Sequence, residues 1–532
     1  MDVRRRIILR GAVQGVGFRP FVYRHARELG LGGWVLNSTE GVMIEAEGEA
    51  SGVSALVDAV RRSPPPNARI GRISVEEVAP RGEAAFSIRR SEIVEARGAE
   101  VLPDLAPCAA CLAELFDPTS RRFRYPFINC TQCGPRYSIV ESTPYDRSRT
   151  TMRCFTMCPA CQAEYDEPSD RRFHAEPNAC LACGPRLTLR DNTGGTIAHD
   201  DQALKAAVAA LLRGGIVAVK GVGGFHLLAP AHDEDAISRM RLGKRRGGKP
   251  FAVMFPDLAA IRLHCHLDAA TEALLSGRER PIVLARRKAD TLAPSVATGS
   301  HRLGVLLPYS PLHHLLMADL DIPAVATSGN VADEPIIIDD AMAFQRLAGI
   351  ADLFLVHDRP IVRSLDDSVA QIVCDRPQLL RRARGYAPGP LAVSGARDGI
   401  LALGGHLKAT VALTAAGSVT VSQHLGDLET PAARDGLRRA ITDLVALQGG
   451  QPRLAVRDLH PDYASTRVAE TTGRPMVAVQ HHVAHVAACL GEHGLAPPAL
   501  GIAWDGTGYG SDGTIWGGEF IHVDKSGWRR VA

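Results

Sequence analysis

Eight of the twelve cysteines fall into four C-x-x-C pairs, and nothing else in this 532-residue chain restricts its folding as strongly. Random placement of twelve cysteines in such a length gives about 0.3 pairs of that spacing, so the pattern is built in. Cys108-x-x-Cys111 and Cys130-x-x-Cys133 are separated by eighteen residues, and the arrangement repeats as Cys158-x-x-Cys161, eighteen residues, Cys180-x-x-Cys183. The repeat extends past cysteine: Arg121 to Cys130 (RRFRYPFINC) matches Arg171 to Cys180 (RRFHAEPNAC), and Cys-Gly-Pro-Arg closes both halves. Two knuckles offering two thiolates each complete a tetrahedral site with no open position. The block therefore reads as two structural zinc sites, with iron or an iron–sulfur cluster as the alternative. Spacing does not decide whether each site closes within its repeat or the pairs cross over. Cys154, Cys265, Cys374 and Cys489 fall outside the pattern and read as small buried apolar side chains.

The remaining composition is that of a globular protein: 45% hydrophobic, 22% charged, 61 basic against 58 acidic residues. At roughly 100–200 residues per domain, about three to five domains are expected. A net charge of +3 supplies no global drive toward nucleic acid or membrane. The apolar run Ile7–Leu9 is too short for a signal-peptide core, and 214–230 is interrupted by Lys220 and glycines, well short of the ~20 residues that span a bilayer. With thiols that need a role other than disulfides, a cytoplasmic protein with no membrane partner is expected.

Residues 1–95 read as β-α-β-β-α-β, a ferredoxin-like unit. Strands are expected at 6–10, 33–37, 42–47, 70–78 and 86–89, and helices at 20–29 and 53–62. Between the first strand and helix stands Gly11-Ala-Val-Gln-Gly-Val-Gly-Phe-Arg19, a glycine turn whose backbone N–H groups can cradle an anion while the arginine binds phosphate oxygens. An ordinary tight turn is the plain alternative. This string with Trp34-Val-Leu-Asn37 strongly resembles the acylphosphatase family. The resemblance implies that Arg19 holds an acyl phosphate and Asn37 orients the attacking water.

Residues 199–390 alternate strand-like runs (215–219, 251–255, 282–285, 325–327) with helical ones, an α/β pattern. Lys244-Arg-Arg-Gly-Gly-Lys249 places four cations in six residues before an apolar strand, and Thr327-Ser-Gly-Asn330 ends another. Those cations suit phosphates, and the Ser and Asn suit hydrogen bonds to a nucleotide; a solvated basic loop and an Asn turn are the alternative. With Lys220-Gly-Val-Gly-Gly-Phe-His these segments resemble the YrdC-like domain, which makes carbamoyl-type adenylates from ATP. By that resemblance Lys244 and Arg246 bind phosphates, Ser328 and Asn330 line the nucleotide site, and Lys220 and Lys249 assist. In residues 398–532, His481 and His485 stand four apart on an expected helix, the spacing that aims two imidazoles at one metal; surface or core histidines are the alternative. Residues 500–504 read as a buried strand ending in Asp505-Gly-Thr-Gly-Tyr-Gly510. Together these resemble the ASKHA domain of the threonylcarbamoyl-transferase type, which implies His481, His485 and Asp505 as ligands of a divalent metal, iron or zinc. Residues 401–408 would be its opening strand and turn.

The fold class expected is thus multidomain α+β and α/β: a ferredoxin-like acylphosphatase domain (1–95), a double four-cysteine zinc domain (104–190), a YrdC-like α/β domain (199–390) and a partial ASKHA-like domain (398–532). In this order, and with Trp516-Gly-Gly-Glu519, the chain resembles the HypF carbamoyltransferases of NiFe-hydrogenase maturation throughout. The resemblance implies cleavage of carbamoyl phosphate, adenylation of carbamate with ATP and Mg, release of AMP and pyrophosphate, and transfer of the carbamoyl group to the C-terminal cysteine of HypE for cyanide-ligand synthesis. Carbamate decomposes in water, so enclosed sites joined by a channel are expected. The family continues past residue 532 with a further aspartate ligand. The chain therefore reads as C-terminally truncated or half of a split protein, with weak metal binding and poor transfer as the consequence. Linkers at 96–107 and 391–397 hold no long flexible tract, which favours docked domains. Two other readings stand beside this one: an acylphosphatase with inert downstream domains, and a scaffold binding RNA through Arg121, Arg122, Arg124, Arg171 and Arg172. Nucleic acid is not the expected partner.

Overall fold

The computed structural model describes residues 2–94, 99–288, 292–332, 334–393 and 395–532, so residues 95–98 and 394 of the expected linkers lie outside the described part. Residues 2–332 and 336–387 form one compact unit, and 388–532 lie in a second. Among the described residues no helix is long and apolar enough to cross a membrane.

The first domain has every expected element: β1 (Asp2–Ala12), α1 (Phe18–Glu28), β2 (Gly32–Ser38), β3 (Gly41–Glu49), α2 (Ala50–Arg62), β4 (Arg69–Val78) and β5 (Phe86–Ile88). The sheet order is β4-β1-β3-β2-β5, with Ile7, Leu9, Val35, Ile44, Val53 and Leu56 in its core. Strand β1 starts earlier than expected because Arg4 is not a solvent residue. It is buried and donates to Glu45 (2.5 and 2.9 Å) and Glu47 (2.6 Å) on β3, so paired charge replaces apolar alternation there.

The cysteine block contributes two eight-residue helices, α3 (Ala109–Phe116) and α4 (Pro159–Asp166), each starting directly after the first cysteine of its repeat. After it comes a twelve-stranded sheet. Its strand Leu187–Asp191 pairs with Leu353–His357, so the sheet begins before the expected boundary at 190. The sheet is mixed: Val217–Lys220 and Phe225–Pro230 are antiparallel because only four residues, including three glycines, join them, whereas Val217–Lys220 is parallel to Leu353–His357.

The second unit holds a six-stranded sheet that begins with the short strand Pro390–Leu391 and includes Ile400–Leu403, the strand expected within 401–408 but not the opening one, and it carries the helix His481–Glu492. Strand Ala499–Ala503 pairs with Glu519–Asp524. The expectation of a buried strand at 500–504 is corrected here. Gly501 packs on Val486 of the helix, but the alternate residues Leu500 and Ile502 point away and are half exposed, and Trp504 is 83% exposed. The isolated cysteines also differ from expectation: Cys265 is buried, whereas Cys154, Cys374 and Cys489 are exposed. Cys374 occupies the turn between Val369–Val373 and Arg376–Arg381, and Cys154 ends a short 3-10 helix, positions that spacing alone does not reveal.

Candidate functional site

The glycine loop between β1 and α1 turns through Gly15 (φ 70°) and Gly17 (φ 77°), left-handed conformations that favour glycine. A side chain at Gly17 would also meet Thr131 at 3.1 Å, because the cysteine domain packs on this loop. The loop delivers Arg19 at the start of α1, and β2 delivers Asn37. In the amide orientation that satisfies both its atoms, the Asn37 oxygen accepts from Arg19 Nε and Nη2, each at 3.2 Å. The two residues therefore share one buried site. Sequence reasoning missed its other members. Arg19 Nη2 donates to Glu176 (2.6 Å) and Nη1 to Asp146 (3.4 Å), both from the cysteine domain. Burial disfavours the Arg19 charge, yet Glu176 and Asp146 hold it above its ordinary pKa. His174, half-buried near the same guanidinium, is pushed down to about 3 by desolvation and by Arg19, and is neutral.

Each four-cysteine set closes within its own repeat, which settles the pairing that spacing left open. Sγ–Sγ distances are 3.4–3.8 Å in the first set and 3.6–3.8 Å in the second. Four thiolates at ~2.3 Å from a zinc ion stand about 3.8 Å apart, so both sets fit tetrahedral zinc. The arginines of each repeat cross to the other. Arg171 donates to Cys111 Sγ (3.2 Å) and Arg121 to Cys161 Sγ (3.3 and 3.4 Å). Arg171 and Arg172 grip Glu114 of α3, and Arg121 and Arg122 grip Glu164 of α4. Arg124 is held by Asp201 and Asp319. The five arginines of the RNA reading thus have their charge matched inside the protein.

In the large sheet domain, helix Glu234–Gly243 ends at Lys244, whose Nζ donates to Ser328 O (2.5 Å), Asn330 O (2.6 Å) and Asn330 Oδ1 (2.9 Å). Lys244 and the Thr-Ser-Gly-Asn turn therefore meet across more than eighty residues. Burial, reinforced by Arg246, pushes the Lys244 amine down to about 7. Arg246 lies over the Phe251 ring and donates to the Lys249 and Pro250 carbonyls. Lys249 is exposed, and its carbonyl braces the loop. Lys220 stands apart, bound to Asp340 (2.7 Å) and the His357 carbonyl (3.0 Å). It lines a cavity with space for water of about 30 Å3 between this domain and the cysteine domain, along with Phe127, Tyr309, Arg359 and Arg384.

In the second unit His481 Nε2 lies 2.7 Å and His485 Nε2 3.3 Å from Asp505 Oδ2. Two imidazoles one helical turn apart and a carboxylate at a strand end are a donor set that fits a divalent metal. Asp458, unmarked in the sequence reading, accepts from His481 Nδ1 at 2.6 Å and so fixes the tautomer that presents Nε2. Its signal was present: an aspartate closing strand Leu454–Asp458, two residues before His460. His482, between His481 and His485, turns inward and bonds Gln480. Glu519 is buried and binds Arg530 in a fork (2.6 and 2.7 Å).

Comparison with known proteins follows this layout. Family models match at residues 5–88 (Acylphosphatase), 108–140 and 157–190 (HypF finger), 209–383 (Telomere recombination, the Sua5/YciO/YrdC model), 395–492 (HypF Kae1-like domain) and 501–532 (Carbamoyltransferase, Kae1-like Domain, second subdomain). The chain is similar to the carbamoyltransferase HypF of Synechocystis sp., with 50% identity over 99% of this chain and 69% of that protein. It is 40% identical to the probable carbamoyltransferase HypF of Methanocaldococcus jannaschii, covering 70% of it. A crystal structure of full-length HypF in the phosphate- and nucleotide-bound form matches with a TM-score of 0.96 at 43% identity, over the whole of this chain and 70% of that one. HypF of T. kodakarensis matches with a TM-score of 0.93 at 37% identity, over 69% of its length. The fold and its sites define a multidomain enzyme of the carbamoyltransferase class. The chain belongs to the HypF family, and it spans about 70% of the length of these relatives.

Proposed function

We propose that this chain acts in NiFe-hydrogenase maturation, in the cytoplasm, through four domains bounded at 1–95, 104–190, 199–390 and 398–532. Arg19 and the glycine loop bind carbamoyl phosphate, and Asn37 orients water toward phosphorus. The new P–O bond forms as the bond to carbamate breaks, leaving phosphate and carbamate. Carbamate oxygen then attacks the α-phosphorus of ATP, supplied with Mg, and pyrophosphate departs. Lys244 and Arg246 offset the charge of that departure, Lys249 adds positive charge from the same loop, Lys220 serves from the neighbouring cavity rather than at the phosphates, and Ser328 and Asn330 hold the nucleotide. The HypE C-terminal cysteine sulfur finally takes the carbamoyl group, and AMP leaves. A divalent ion held by His481, His485 and Asp505 would polarise phosphate oxygens. Zinc in the fingers closes each knuckle and has no open position for chemistry.

The observation that carries this reading is the cavity lined by Lys220, Arg359 and Arg384 within the unit that also holds the Arg19 and Lys244 sites. A small anion that decomposes in water gains from a cleft that limits solvent and carries cations in its lining. The test is carbamoyl-phosphate-dependent exchange of labelled pyrophosphate into ATP. Exchange in the unmodified chain that is lost in both Arg19→Ala and Lys244→Ala places cleavage and adenylation in series. Exchange that survives Arg19→Ala, or that is absent from a folded, zinc-loaded chain, removes the proposal.

A further inference from the structure

The second finger repeat departs from the first where it reaches the anion cradle. In the matched segments Glu176 replaces Pro126, so no finger requirement puts a carboxylate there. Pro126 faces the inter-domain cavity, whereas Glu176 is 1% exposed with one oxygen 2.6 Å from Arg19. Its other oxygen accepts from Tyr165 Oη and the Arg147 backbone N–H, both at 2.9 Å. A second carboxylate, Asp146, reaches the remaining Arg19 nitrogen and is itself anchored by Ser91 (2.8 Å). One buried guanidinium thus faces two fixed carboxylates before any phosphate arrives. Such partners hold the fork in one geometry, and they also oppose an incoming dianion.

We propose that Glu176, with Asp146, is a positioning residue that orients Arg19 and weakens its hold on phosphate, so that the product is released. This rests on the reading of Arg19 as the acyl-phosphate site. A like charge within ~4–6 Å shifts an anion's equilibrium by about one to three powers of ten, so neutralising it should be plainly measurable. In the full chain, Glu176→Gln should bind inorganic phosphate about tenfold tighter by calorimetry, with kcat and KM for carbamoyl phosphate falling together because release slows. Asp146→Asn, at the longer contact, should move phosphate affinity the same way by about threefold. Zinc content and Tm, measured alongside, report any purely structural effect. Phosphate affinity that is unchanged or weaker in a zinc-replete Glu176→Gln overturns the proposal. If the unmodified chain binds phosphate and shows these affinity shifts yet hydrolyses no carbamoyl phosphate, the reading of the reaction fails while the role of Glu176 on Arg19 stands.

Discussion

Removing the Arg171 side chain should loosen the zinc site of the other repeat. Arg171 belongs to the second repeat, but its Nη1 donates to Cys111 Sγ at 3.2 Å, and its Nε and Nη2 reach Glu114 at 2.9 and 2.6 Å. Glu114 keeps Arg172 in the variant Arg171→Ala, so the bond lost outright is the one to the thiolate. A hydrogen bond to a charged group contributes about 1.5–3 kcal/mol, and the 29% exposure of this side chain argues for the lower end. About 1.5 kcal/mol corresponds to roughly tenfold in the zinc dissociation constant of Cys108, Cys111, Cys130 and Cys133. The assay is timed alkylation under a zinc chelator, followed by mass mapping of the eight cysteines. Arg171→Ala should expose the first set early, and Arg121→Ala, its counterpart, the second. Earlier labelling of Cys158, Cys161, Cys180 and Cys183 in Arg171→Ala, or labelling of both sets at the unmodified rate, would refute the cross-bracing argument.

Other outcomes can be checked independently. The Lys244 amine titrates near 7 when folded but at its ordinary, higher value when unfolded, so the unfolded chain binds more protons above pH 7 and this residue makes stability rise with pH through that window. ATP phosphates favour its charged form, so nucleotide binding at pH 8.5 should take up about one proton, read from calorimetry in buffers of different ionisation heat; Lys244→Met should abolish the uptake. Asp458→Ala removes the acceptor for His481 Nδ1 and should weaken divalent-ion binding in the second unit ~10–100-fold by titration. Gly223→Ala would put a Cβ 2.4 Å from Leu365 Cβ and should cost about 1–3 kcal/mol in chemical denaturation, with zinc content unchanged.

What the sequence disclosed was local. The ferredoxin-like elements follow from apolar alternation and glycine punctuation within single segments, and the zinc ligands from the three-residue spacing of thiols. Arg19 with Asn37, and Lys244 with Ser328 and Asn330, were legible only because family motifs mark them. The structure then shows that each pair meets. Glu176, Asp146 and Asp458 stayed hidden because each acts on a partner between 23 and 157 positions away, a distance over which no periodicity speaks. The crossed arginines illustrate the same limit. Their doublets look like a basic patch until the fold places a carboxylate and a thiolate of the other repeat beneath them. The apolar run at 500–504 failed differently, since alternation tells which residues share a face but not whether anything covers it.

Arg19 and Glu176 are 157 residues apart, and that separation has a meaning in time as well as in space. At ~5–20 residues per second a ribosome needs about 8–30 s to extend the chain from one to the other. The first domain has its core elements complete only at Ile88, so for the later part of that interval, about 4–18 s, a folded cradle can exist on the nascent chain with its arginine not yet bound by Glu176. Restraint reaches it only when the second finger has been synthesised and has closed on its metal. Zinc supply during translation would then govern how long an unrestrained anion site persists on each newly made molecule.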